Sequence, residues 1–168
     1  MMLSTCIYTR NAMACAVLIA SFFVLTPRAM AQDDARTPIA IVVHKDTPVD
    51  NLTLDQLRNI FLANQQFWPD RSRIILLVHA PQSDERDYIL ESIYQMDEAQ
   101  FRKYWIAKMF RAEVSRGPKI VFSTEMMLEL VVAIPGSISF TSADQVTGDV
   151  HLIRIDGKLP SDSDYPLK

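Results

Sequence analysis

Short apolar runs of strand length alternate along the chain with segments whose apolar residues recur at helical spacing, and this alternation constrains the fold more than any other feature. Residues 38–43, with Ile39, Ile41, Val42 and Val43, form an apolar, largely β-branched run that reads as a strand buried on both faces. Residues 74–78 repeat that signature, and shorter strands are expected at 119–122, 137–140 and 150–155. Between the first two runs, Leu54, Leu57, Ile60 and Phe61 mark a helix whose start carries Thr53 and Gln56 as a capping box. Ser83 can cap a second helix with Ile89, Leu90, Ile93 and Tyr94 inward. Asp97 and Gln100 open a third, with Phe101, Trp105 and Met109 along one stripe. Gly117-Pro118 punctuates the next strand, and Ser123 or Thr124 caps a helix over 126–134 that is apolar nearly all round, so it should be the most buried. Pro135-Gly136 ends that helix, and the Pro-, Ser- and Asp-rich tail 156–168 should be irregular. Strands interleaved with helices predict an α/β fold, a three-layer sandwich around a mainly parallel sheet.

The amino end reads as an export signal. Arg10 precedes an apolar run over 12–25, and Ala29-Met30-Ala31 offers small residues at both positions a signal peptidase inspects. About 20 apolar residues are needed to span a bilayer comfortably, so this run suits a cleaved signal better than a retained anchor. The expected division is a signal peptide over 1–31 and one domain over 32–168, periplasmic, with no transmembrane anchor after cleavage. Cys6 and Cys15 both lie in the expected signal, which leaves the mature chain no thiol for a disulfide, a nucleophile or soft metal binding. Loss of Arg10 and Arg28 leaves 15 basic against 20 acidic residues, a net −5 with histidines neutral. That balance supplies no electrostatic footprint for nucleic acid, although a local anion site remains compatible with it.

Few residues point to catalysis. His44, His79 and His151 stand at no metal-ligand spacing and fall at or within expected strands. Neither a Gly-rich phosphate loop nor a Gly-x-Ser-x-Gly elbow is present, and the pairs Asp84-Glu85 and Asp97-Glu98 fall in first turns of helices, where the amide dipoles explain them. The expectation is a binding or accessory protein rather than an enzyme, without cofactor or metal. The most informative local feature is the turn from His79 to Arg86. There the amino end of a helix at the carboxyl end of a strand offers N–H groups to an anion, with the Ser83 hydroxyl and the Arg86 guanidinium beside them. Asp84 and Glu85 would oppose the same anion, so a self-satisfied helix cap is the competing reading. Phe67 and Trp68, in a loop, could face a partner or close over helix ends.

Several segments in order carry a family resemblance: the strand with Ile39 to Val43; Leu52 through Leu62; Phe67-Trp68-Pro69-Asp70 and the strand after it; Leu130 through Phe140 with its Pro-Gly turn; Asp156 to Pro160; and Tyr165-Pro166-Leu167. Together they resemble the substrate-binding proteins of bacterial phosphate ABC importers and their short single-lobe relatives, over nearly all of the mature chain. The resemblance implies one lobe of a type II periplasmic binding protein, in which two α/β lobes close on a ligand between them. It also implies phosphate or another small oxyanion as ligand, and an ABC transporter membrane component or another periplasmic protein as partner. Phosphate-binding relatives follow the strand matching 74–78 with Arg and then Gly-Ser-Gly-Thr-Arg. Here the positions read His79 and then Gln82, Ser83, Asp84, Glu85 and Arg86, of which Ser83 and Arg86 match. The resemblance thus places the ligand at His79, Gln82, Ser83 and Arg86, while the departures leave open a ligand-free interaction module that kept the lobe and lost the anion site.

Overall fold

A computed structural model describes residues 37–168; the expected signal peptide, its cleavage site and both cysteines lie outside the described residues. The described residues form a six-stranded sheet in the order β2-β6-β1-β5-β3-β4. Its strands are β1 (Ile39–His44), β2 (Asn51–Leu52), β3 (Ile75–His79), β4 (Lys119–Val121), β5 (Ser137–Ser142) and β6 (Val150–Ile155). β1 pairs antiparallel with β5 and β6, whereas β2 with β6, β3 with β4 and β3 with β5 are parallel. Five strands therefore point one way and β1 alone opposes them, so the sheet is mainly parallel as expected. The short edge strand β2 was not expected; only two residues long, it shows no periodicity to read.

Alternation along the strands divides the core in two. Ile39, Ile41, Val43, Leu76, Val78, Ile138, Phe140, Ile153 and Ile155 face a large cluster with α1 (Leu54–Phe61), α2 (Asp84–Ile89) and α3 (Glu98–Phe110). On the other face Val42, Leu77 and Val121 meet α4 (Thr124–Ala133) through Met127, Leu128 and Val131. Helices on both faces make the three-layer sandwich. Ser137 and Ser139, buried on the α4 face, donate hydroxyls to Val131 O and Leu77 O at 3.0 Å each. These bonds satisfy the polar groups that burial would otherwise penalise.

The helix starts follow the expected chemistry. Thr53 with Gln56 and Asp97 with Gln100 both close reciprocal capping boxes, and Ser123 caps α4. α2 widens into a π-helical turn, Leu90–Tyr94, that ends at Gln95 in a left-handed conformation. Ile89, Leu90, Ile93 and Tyr94 are buried as expected.

Two expectations need correcting. α4 is not buried all round: a single helix covers its face of the sheet, so Met126 and Val132 are turned to solvent. In α3 the buried stripe runs Phe101, Trp105 and Lys108, while Met109 is 41% exposed. At about 100° per residue, seven residues return to within about 20° of the start and eight overshoot by about 80°. The register thus selects Lys108, whose ammonium reaches Asn64 Oδ1 at 2.9 Å and Glu113 at 3.7 Å.

Trp68 and the Pro135-Gly136 turn are two halves of one junction. The buried Trp68 indole N–H donates to Gly136 O at 2.9 Å, and the same carbonyl accepts from Ile75 N at 3.0 Å. Gly136 has φ 77°, and a Cβ there would collide with the Arg73 carbonyl oxygen, so no other residue fits without displacing the backbone. The tail has no helix or strand, yet it is anchored. Ile39 N donates to Leu167 O at 2.8 Å, the Tyr165 hydroxyl donates to Ile39 O at 2.9 Å, and both tail side chains are buried.

Candidate functional site

The sequence places the candidate site where β3 ends and α2 begins, and the structure brings all four expected residues to that turn. His79 closes β3 and is buried, with Nε2 2.9 Å from Phe140 O and the imidazole tilted against the Phe140 ring. A carbonyl partner requires that Nε2 carry the proton and donate. Gln82 is exposed with φ 74°, in the turn that reverses the chain ahead of the helix. Ser83 Oγ accepts from Arg86 N at 3.2 Å and so serves as the helix cap.

Arg86 points inward. It is 2% exposed, and its guanidinium lies 4.7 Å from the centre of the Phe101 ring. Nε donates to Glu98 Oε2 at 2.9 Å, Nη2 to Glu98 Oε1 at 3.1 Å, and Nη1 to His79 O at 2.5 Å. Glu98, in the first turn of α3, thus gives the Arg86 fork the planar bidentate acceptor that a bound oxyanion would give. The acid is not visible as a partner in the sequence, because twelve positions separate it from Arg86 and the closeness of α2 to α3 comes from the fold. The T-shaped stack of Tyr94 on Phe101 closes the same pocket, and burial pushes the Tyr94 phenol well above its ordinary range, slightly countered by Arg86.

Outside the turn the surface is acidic. A cavity of about 580 Å³ beside α2 is lined by Asp84, Glu85, Asp87 and Glu91, with Ser142 donating its hydroxyl to Glu85 Oε1 at 3.3 Å. Asp84, Glu85 and Asp87 occupy the first turn of a helix only six residues long, its positive end, and repel a second anion there.

The other histidines lie apart from this turn. His44 Nδ1 accepts from Asp46 N at 3.2 Å, and His151 Nε2 lies 3.0 Å from Asp50 Oδ1. Among the described residues no group of three His, Cys, Asp or Glu side chains could hold a metal ion, and no helix is long and apolar enough to cross a membrane. Trp68 is buried at its junction, and Phe67 beside it is 54% exposed.

No protein-family model matches the chain, and no curated protein matches it. Solved structures do. A protein described as a phosphate ABC transporter substrate-binding protein, with bound phosphate, from Clostridium perfringens superposes with a TM-score of 0.58 at 22% identity, over 71% of this chain and 45% of that one. An ABC-type phosphate transport receptor from Vibrio cholerae gives 0.59 at 21% identity over 74% and 49%, and PstS from Borrelia burgdorferi 0.56 at 15% over 74% and 49%. The chain spans just under half the length of each of these proteins. At such identities the likeness is one of fold, and the fold it shows is a partial, lobe-like α/β unit of phosphate-binding proteins.

Proposed function

We propose that the protein is an exported binding-type accessory module, built on one lobe of the phosphate-receptor fold, whose anion cradle at Ser83 has become an internal ion pair. The observation that carries this reading is the buried Arg86 guanidinium, held on both Glu98 oxygens and on His79 O. An arriving phosphate would have to displace Glu98 and strand its charge, and it would meet Asp84, Glu85 and Asp87 on the way. The structural likeness to phosphate-transport proteins supports a binding role over a catalytic one. The partner this reading expects is a protein of the cell envelope. Ile106 at 63% and Phe110 at 92% exposure on α3, with Phe67, supply apolar surface of the kind that contacts use.

A second reading keeps phosphate as ligand at His79, Gln82, Ser83 and Arg86, in a protein that serves a transporter. It is favoured by the bound phosphate in the Clostridium protein and by the position of Ser83 at a helix start after a parallel strand.

Thermal unfolding with and without phosphate and sulfate separates the two. A ligand present at about 1,000 times its Kd stabilises by about 4 kcal/mol, a shift that is readily measured. An unchanged melting temperature at millimolar anion is expected, and a clear rise that Arg86→Ala abolishes would establish the second reading instead.

A further inference from the structure

A second cavity, of about 210 Å³, opens at the other end of β3, where that strand and β4 begin. About 13 Å of strand separates it from the Ser83 turn. Its inner wall is apolar, made by Ile60, Leu76, Trp105 and Val114, and all four are buried. Its mouth carries Arg73, Arg116 and Lys119, and no carboxylate lines it. Arg73 donates to Ser115 Oγ at 3.1 Å, and none of the three cations is ion-paired among the described residues. The neighbouring acid, Glu113, gives its backbone carbonyl to the Gln66 amide and its carboxylate to Arg111 and Lys108. Trp105 is 6% exposed, and its indole N–H has no hydrogen-bond partner.

We propose that this cavity binds a small organic carboxylate with an apolar body, the body against Ile60, Leu76, Trp105 and Val114 and the carboxylate at Arg73, Arg116 and Lys119. The size fits: a cavity of about 150 Å³ accommodates benzene, so this one has room for a single ring or a short branched chain. A bare inorganic anion would leave the apolar wall unused, and a hydrocarbon would leave three cations without a counter-charge. The site shares no residue with the Ser83 turn.

The test is a titration of ¹⁵N-labelled protein with benzoate, followed by NMR through the indole N–H signals. The chain has two tryptophans, and Trp68, whose N–H is committed to Gly136 O, is the internal reference. The Trp105 signal is expected to move saturably and further than that of Trp68, whose acceptor Gly136 O also binds Ile75 N at the cavity edge. Benzyl alcohol, neutral and of similar shape, should bind about fivefold more weakly, as should benzoate to the exposed-site double variant Arg116→Ala with Lys119→Ala. Inorganic phosphate should leave the Trp105 signal in place. A Trp105 signal that benzoate does not move at roughly 20 mM would overturn the proposal. So would equal binding of benzyl alcohol, or affinity unchanged in the double variant.

Discussion

At the scale of single residues, Arg86 and Gly136 are two places where the fold tolerates little change. Removing the Arg86 side chain leaves Glu98 without its partner and His79 O without a donor. Breaking a buried pair costs about 3–5 kcal/mol, and Glu98, at 32% side-chain exposure, sets the cost near the low end, about 3 kcal/mol for Arg86→Ala in urea unfolding. A group reserved for a ligand would instead be lost at little cost to stability. Gly136→Ala places a Cβ against Arg73 O in a left-handed conformation, and a loss of about 2 kcal/mol or more is expected in the same measurement. The sequence shows Trp68 and Pro135-Gly136 as separate motifs. That they meet is invisible there because 68 positions lie between the indole N–H and its acceptor. A shorter separation, twelve positions, hides Glu98 from Arg86 in the same way, which is why Ser83 and Arg86 read equally well as an anion cradle and as a capped helix.

At the scale of elements, the helix starts and every strand except the two-residue edge β2 are legible, because each depends on a few neighbouring residues. Thr53 with Gln56 and Asp97 with Gln100 form the capping boxes their spacing implies, and Thr53→Ala should cost about 1 kcal/mol through loss of its bond to Gln56 N. Helix faces were less legible where apolar residues exceed the space a single layer can cover. α4 illustrates this, since Met126, Met127, Leu128, Leu130, Val131 and Val132 all look like core and only its sheet-facing side can be. Val131→Ala should therefore cost about 2 kcal/mol, whereas Val132→Ala should stay within about 0.5 kcal/mol. Equal effects at the two positions would mean that α4 sits at a different rotation on the sheet.

At the scale of the molecule, burial ties stability to alkaline pH. The Tyr165 and Tyr94 hydroxyls both have their pKa raised by desolvation, Tyr94 well above the ordinary 10.0. The folded state therefore holds these protons more tightly than the unfolded chain. The resulting stability is complete below pH 10 and is lost as pH rises beyond it. Thermal unfolding followed from pH 8 to pH 11 should show that decline, with phenolate absorbance from these two residues appearing only as the protein unfolds. The tail shares in this, because Tyr165 binds Ile39 O at the start of the central strand β1. Among the described residues the surface is acidic along the flank of α2 and apolar at the end of α3.

The most direct test of the internal ion pair is isothermal titration with phosphate at neutral pH and low ionic strength, on the unsubstituted protein and on Glu98→Gln and Arg86→Ala. No saturable heat is expected from the unsubstituted protein. Weak binding that emerges only in Glu98→Gln would be the signature of a cradle filled by its own carboxylate. Saturable binding by the unsubstituted protein, abolished by Arg86→Ala, would contradict the account and return the Ser83 turn to the role of a phosphate site.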